Sequence, residues 1–117
     1  LPLDSRPPCT KLVADNGQTA GISVIMPPSH YMDFYTQPGE IDNLRSWLLS
    51  EAKNAQEAII SIDQLLYGGL IASRNRTITD ADIDTLIDYI IKLHTENPSL
   101  KLYTFAILPR MTPPDCI

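Results

Sequence analysis

The chain has 117 residues, a formal net charge of −5 and two cysteines, Cys9 and Cys116. That length admits one domain with a core of its own and excludes two of ordinary size. Scattered Lys and Arg under a negative balance argue against nucleic acid as a partner, and no apolar run approaches the ~20 residues that span a bilayer, which excludes a membrane helix.

Leu1 to Leu3 reads as the tail of a strand, followed by the polar turn Asp4-Ser5-Arg6-Pro7-Pro8, whose prolines forbid further ladder pairing. Thr10 to about Ala20 reads as a helix, weakened by Gly17 and ended by Gly21. Ile22 to Met26 is a short apolar run closed by Pro27-Pro28, the pattern of a buried strand. The loop Ser29 to Gly39 gathers His30, Tyr31, Asp33, Phe34 and Tyr35. It is expected to be a lid or recognition loop, or else to pack its aromatics over a sheet edge. From Pro38 the pattern turns helical, with acidic Glu40 and Asp42 in the first turn and Ile41, Leu44, Trp47 and Leu48 on one face. Trp47 is expected to be a core anchor.

Ala58 to Ile62 is rich in β-branched residues, the pattern of a parallel strand covered on both faces. Asp63 arrives where that run stops; Gly68-Gly69 follows, and then Ser73, Arg74 and Arg76. Glycines let a ligand approach the backbone and the guanidiniums can pair an anion. The alternative is an ordinary loop in which Asp63 caps the next segment and Arg74 is solvated. Thr79 opens a further helix as N-cap, with Asp80 and Asp82 at its positive end and Ile83, Leu86, Ile87, Ile90 and His94 on one stripe. Asn97-Pro98 stops it, and Leu100 to Leu108 forms a last strand that ends in Pro109-Arg110.

Strands alternating with helices over short connections predict a doubly wound α/β fold, Rossmann-like or flavodoxin-like. Its mostly parallel sheet of about four strands would carry helices on both faces. Ligands bind such sheets at the carboxyl ends of the strands. Asp4 and Arg6, His30 and Asp33, Asp63, and Arg110 each follow a predicted strand, so all are expected on that one edge. An order of 2-1-3-4 would place Asp4 and Asp63 on neighbouring strands. No GxGxxG, P-loop, GxSxG or CxxC motif is present, and neither cysteine has metal-ligand spacing. No cofactor and no metal is expected, and the cysteines read as two free thiols as readily as one disulfide.

The segments LPLDSRP (Leu1 to Pro7), Pro27-Pro28, SIDQLLYGGLIASR (Ser61 to Arg74) and ENPSLKLYTFAILPR (Glu96 to Arg110) together resemble the DUF4127 family of bacterial proteins. The family's pattern falls on Asp4, Arg6, Asp63, Tyr67, Gly68, Gly69, Ser73, Arg74 and Arg110. The chain departs from it at Arg110-Met111-Thr112, where the family usually carries a second arginine or an Arg-Thr pairing. Family members are longer, so the resemblance implies an N-terminal portion of a larger protein. That agrees with two ends that break off beside structural elements. The resemblance lends no activity.

Two readings of the same residues follow. As an enzyme, Asp4 and Asp63 would be a carboxylate pair with separated pKa values. The reaction would be hydrolytic or lytic, on a small polar or anionic molecule such as a sugar or an amide. Arg6, Tyr67, Gly68, Gly69, Ser73, Arg74 and Arg110 would hold that substrate. As a binding module, the arginines would pair a carboxylate or phosphate and the two Asp would orient them. A purely structural role, with Asp4 tying strand ends together, uses the same groups. The expected partners are the small molecule and the remainder of the polypeptide, and the expected location is the cytoplasm, with an extracellular one left open.

Overall fold

The computed structural model describes residues 1–108. At its centre β1 (Glu57–Ser61) and β2 (Lys101–Phe105) pair in parallel, with Ile59 opposite Tyr103 and Ser61 opposite Phe105. Beside β1 the Leu1 nitrogen donates to the Ile59 carbonyl at 2.6 Å, and the Ser61 amide donates to the Leu1 carbonyl at 3.0 Å. This is the slanted bonding of a parallel ladder, limited to one residue.

The helices follow from local chemistry. In α1 (Lys11–Thr19) no residue is buried, and the chain leaves it through Gly21 at φ +77°. By contrast, α2 (Ile41–Ala52) buries Leu44, Leu48 and Ala52, four residues apart on one stripe. Trp47 is half-buried and packs against the same cluster. Ser61 ends β1 and caps α3 (Ile62–Tyr67), its hydroxyl accepting from the Gln64 amide. That helix closes on Gly68 in the left-handed region at φ +87°, and α4 (Leu70–Asn75) follows directly. The long α5 (Asp80–Glu96) starts in a capping box in which Thr79 and Asp82 satisfy each other's backbone amides. It buries Leu86, Tyr89 and Leu93. The Tyr89 hydroxyl donates to the Arg45 carbonyl at 2.8 Å, fixing α5 against α2. Leu48, Ala52, Ile60, Leu65, Leu86, Leu93 and Leu100 form the core between these helices and one face of the strand pair.

The expected doubly wound sheet of four strands does not form. Five α-helices and two strands make up the described residues, a small and mostly helical fold. Ile22 to Met26 is not a strand: it has no ladder partner, and Ile22 and Ile25 are exposed. It lies against α1 instead, where a Cβ on Gly17 would stand 2.4 Å from Val24 Cγ2. An apolar run signals that a segment gains from burial, not that a sheet edge will be brought beside it. The polar turn expected after β1 is two short helices. Helices do not cover both sheet faces either, since Ile59 and Tyr103, opposite each other in register, are both exposed. His94 is exposed, because the buried stripe of α5 runs through Leu93 and not through the neighbouring position.

Leu93 is wholly buried whereas Ile87, on the same helix, is half exposed. Leu93→Ala is expected to cost about 2–5 kcal/mol, through lost transfer energy and the cavity left behind, and Ile87→Ala well under half of that. Urea unfolding of the two variants beside the parent checks this, and equal losses would contradict the packing described.

Candidate functional site

Three aspartates with little access to water lie at or beside the carboxyl ends of the strands: Asp4 at 3 % exposure, Asp63 at 4 % and Asp33 at 9 %. A carboxylate so placed must be met by donors or lose its charge. Asp4 Oδ1 accepts from the Arg6 amide at 3.1 Å, the two-residue reach of an Asx turn. Its Oδ2 accepts from Arg6 Nε at 2.9 Å and lies 2.7 Å from Nη2. The guanidinium therefore grips one carboxylate oxygen with two nitrogens and keeps most of its own surface in water. Burial works to raise the Asp4 pKa. The Arg6 hydrogen bonds, one from Cys9 and the guanidinium charge outweigh it, and Asp4 stays below the usual carboxylate range.

Asp33 comes from a different part of the chain. A 3₁₀ turn (Ser29–Tyr31) after Pro27-Pro28 redirects the backbone, and Asp33 Oδ1 then accepts from the Ser5 amide at 2.9 Å. That bond brings the Asp33 carboxyl beside Asp4. Burial first, and the negative charge of Asp4 second, push the Asp33 carboxyl above its ordinary value. The turn between α3 and α4 closes the other side. A Cβ on Gly69 would stand 3.1 Å from Asp33 Cγ, and Gly69 has φ +131°, so both space and backbone call for glycine. Half-buried Cys9 lies within hydrogen-bonding reach of Asp4, and its thiol is pushed up by burial and then by that carboxylate.

Asp63 has another task. Its Oδ2 accepts from the Ile107 amide at 2.9 Å, tying the end of β1 to the chain that leaves β2. Among the described residues it shares no hydrogen bond with Asp4. Of the remaining expected site residues, Gly69 reaches the carboxylates. Gly68 serves the turn: its carbonyl accepts from the Gly39 amide at 2.8 Å, and a Cβ there would meet Gly39 N at 2.9 Å. Tyr67 is the half-buried last residue of α3. The Ser73 hydroxyl donates within its own helix to the Leu70 carbonyl at 2.6 Å, and Arg74 is exposed at the end of α4. Neither is hydrogen-bonded to a carboxylate among the described residues. Arg110, Thr112 and Cys116 lie outside the described residues. Asp33 was visible in the sequence as the single acid of an aromatic loop, but nothing there pointed to Ser5 as its partner.

Away from these carboxylates, a cleft of about 640 Å³ opens between the start of α2 and the start of α5, with Arg45, Arg76 and Asp82 in its walls. Its charges are partly engaged. Asp82 accepts from the Thr79 amide, and Arg45 donates to the Leu65 carbonyl while lying over the Tyr89 ring. Among the described residues no group of three or more His, Cys, Asp or Glu is placed to hold a metal ion, and no helix is long and apolar enough to cross a membrane.

Among the described residues the protein is a small, mostly helical domain around a two-stranded parallel pair. The chain belongs to the DUF4127 family, a family of proteins of unknown function whose model matches residues 1–116. No curated protein and no solved structure matches it.

The Asp4–Arg6 pair sets an acid limit on stability. Because the folded-state pKa of Asp4 lies below that of the unfolded chain, about 3.9, its contribution is complete above that value and lost as pH falls through the lowered one. Arg6→Ala is expected to flatten the acid limb of a plot of unfolding free energy against pH. An unchanged limb would deny Asp4 this role. Asp63→Ala strands the Ile107 amide and is expected to cost about 1–3 kcal/mol in denaturant unfolding, whereas Asp63→Asn, which keeps an acceptor oxygen, should cost less.

Proposed function

We propose that this protein is an acid–base enzyme that cleaves a small polar molecule, with Asp33 as the group that moves the proton. One arrangement carries the reading: Asp33 takes the amide of Ser5, next to an Asp4 gripped by Arg6, and there Arg6 pushes the Asp4 pKa down while burial and the Asp4 charge push that of Asp33 up. Separated values in one carboxyl pair divide the roles of ionised partner and proton donor. Asp33 protonates a leaving group and then takes a proton from the incoming water. Asp4, held ionised by Arg6, raises the proton affinity of Asp33. The exposed side of Arg6 steadies an anionic or strongly polar group of the substrate, and the bare backbone at Gly69 leaves room beside the acid. The carboxylate pair proposed for catalysis is thus Asp4 with Asp33, which is held by the amide of Ser5 next to Asp4, rather than Asp4 with Asp63, which is held by the Ile107 amide beyond β2.

The engagement of Asp4 by Arg6 also favours a second reading, a non-catalytic module that binds an anion or a sugar through the same loops. Turnover separates the two. With the full chain and a panel of nitrophenyl glycosides and anilides, Asp33→Asn is expected to lower kcat by about 10²–10⁴-fold with the fold intact. The ionisation of Asp33 should appear in the pH profile of kcat/KM above the ordinary Asp value near 3.9, and should move down in Asp4→Asn, which removes the charge that raises it. Full activity in Asp33→Asn, or no turnover of any panel member, would overturn the enzymatic reading.

A further inference from the structure

The loop that delivers Asp33 is a rigid hairpin, and its construction exceeds what delivering one carboxylate requires. The Glu40 amide donates to the Tyr31 carbonyl at 2.8 Å and the Gly39 amide to the Gly68 carbonyl at 2.8 Å, which fixes both feet of the loop. Above them Phe34 and Gln37 exchange backbone hydrogen bonds of 3.0 and 2.9 Å, leaving Tyr35 and Thr36 as a two-residue tip. Tyr35 has φ +51°, the one positive φ outside glycine among the described residues. A tip residue with positive φ is a place for Gly, Asn or Asp, so a bulky tyrosine there stores strain of the kind that marks functional loops. What the strain holds up is an aromatic knob. Phe34 and Tyr35 are 66 % and 75 % exposed, their rings edge to face with centroids 4.6 Å apart. Two exposed aromatic rings on a fixed loop are an unfavourable surface for water and a favourable one for a flat apolar partner.

At the base of the knob, on the Phe34 side, is an open pocket of about 310 Å³ lined by Ser29, His30, Met32, Phe34, Gln37, Pro38 and Glu40. Its size falls at the lower end of small-molecule pockets, which run from roughly 300 to 1,000 Å³, so it suits a ligand of about one ring. Three of its lining residues are apolar and four polar: Ser29 and Gln37 donate and accept, Glu40 accepts, and His30 does either according to its tautomer. A ligand that satisfies both halves has a C–H face to lay on a ring and hydroxyls around its rim that donate and accept. That is the chemistry of a pyranose. An inorganic anion would find Glu40 in the wall and no arginine or lysine in the lining, and a purely apolar ligand would leave the polar half unpaired.

We propose that this hairpin is a saccharide subsite, in which Phe34 stacks on one face of a sugar ring while His30, Gln37 and Glu40 take its hydroxyls. Asp33, adjacent to Phe34 in the chain, links the subsite to the carboxylate pair. Treating the bound ring as substrate rests on the enzymatic reading above; the binding of the ring does not.

Saturation-transfer NMR and titration of the full chain with the methyl glycosides of glucose, galactose, N-acetylglucosamine and glucuronic acid test this. At least one is expected to bind, with amide shifts centred on Phe34 and Gln37. Phe34→Ala should weaken its binding about tenfold or more and Phe34→Trp should restore it; both changes fall at an exposed position. Tyr35→Gly should raise the thermal midpoint while weakening binding, a combination that a merely structural tip would not produce. Absence of transfer to all four glycosides, or affinity unchanged in Phe34→Ala, would overturn the subsite. Asp33→Asn keeps the two proposals apart. Sugar binding that survives in it with no turnover in the parent sinks the enzyme alone. Cleavage of anilides by a parent that binds no glycoside sinks the subsite alone.

Discussion

The hydrogen bond from the Ser5 amide to Asp33 Oδ1 joins two loops that are far apart in sequence, and the arrangement of the carboxyl end of the strands depends on it. Burying a carboxylate costs several kcal/mol unless donors replace its water, and Asp33 finds one in a backbone turn whose own shape is set by Asp4 accepting from Arg6. The same juxtaposition that satisfies Asp33 sets it beside a second negative charge. Satisfying the geometry therefore creates the electrostatic contrast between the two acids, with Arg6 favouring the ionised form of Asp4 while burial and the Asp4 charge raise the pKa of Asp33. Asp63, equally buried, takes its donor from the chain beyond β2.

Glycine at two consecutive positions makes the approach of these loops feasible. At Gly68 a side chain would run into the backbone of Gly39, and at Gly69 it would run into the Asp33 carboxyl. Both also sit at positive φ, so space and backbone conformation agree. The aromatic hairpin is consequently seated on α3 by main-chain contacts. Under it the side-chain amide of Gln64 is wholly buried, without a hydrogen-bond partner among the described residues, and lies against Gly39.

Local chemistry was legible from the residues alone. The start of α5 follows from Thr79 and Asp82 three apart, the end of α1 from Gly21, the buried stripe of α2 from Leu44 and Leu48, and the two central strands from β-branched and aromatic runs. Each depends on contacts within a turn or two of helix, or on the periodicity of a single element. That Asp63 falls just after a strand was legible for the same reason, because it comes where an apolar run stops, whereas the Leu1 to Leu3 run before Asp4 is not a strand and joins β1 through one residue.

Tertiary structure alone decided the rest. Ile22 to Met26 has a strand's composition, yet it received no sheet edge to pair with. The Asp63-to-Arg76 stretch became two helices once the Ser61 hydroxyl and the αL conformation of Gly68 were in place. Asp4 and Asp63 are a plausible pair by position after two neighbouring strands, but a carboxylate takes whichever donor the packed chain presents, Arg6 for one and the Ile107 amide for the other. Asp33 becomes the neighbour of Asp4 through a bond spanning 28 positions of sequence. By itself the sequence determined which residues could cap, turn, pair and be buried, because those properties belong to a residue and its near neighbours. Which carboxyls meet, and hence in which direction each one's proton affinity is pushed, was set by long-range packing that no local pattern encodes.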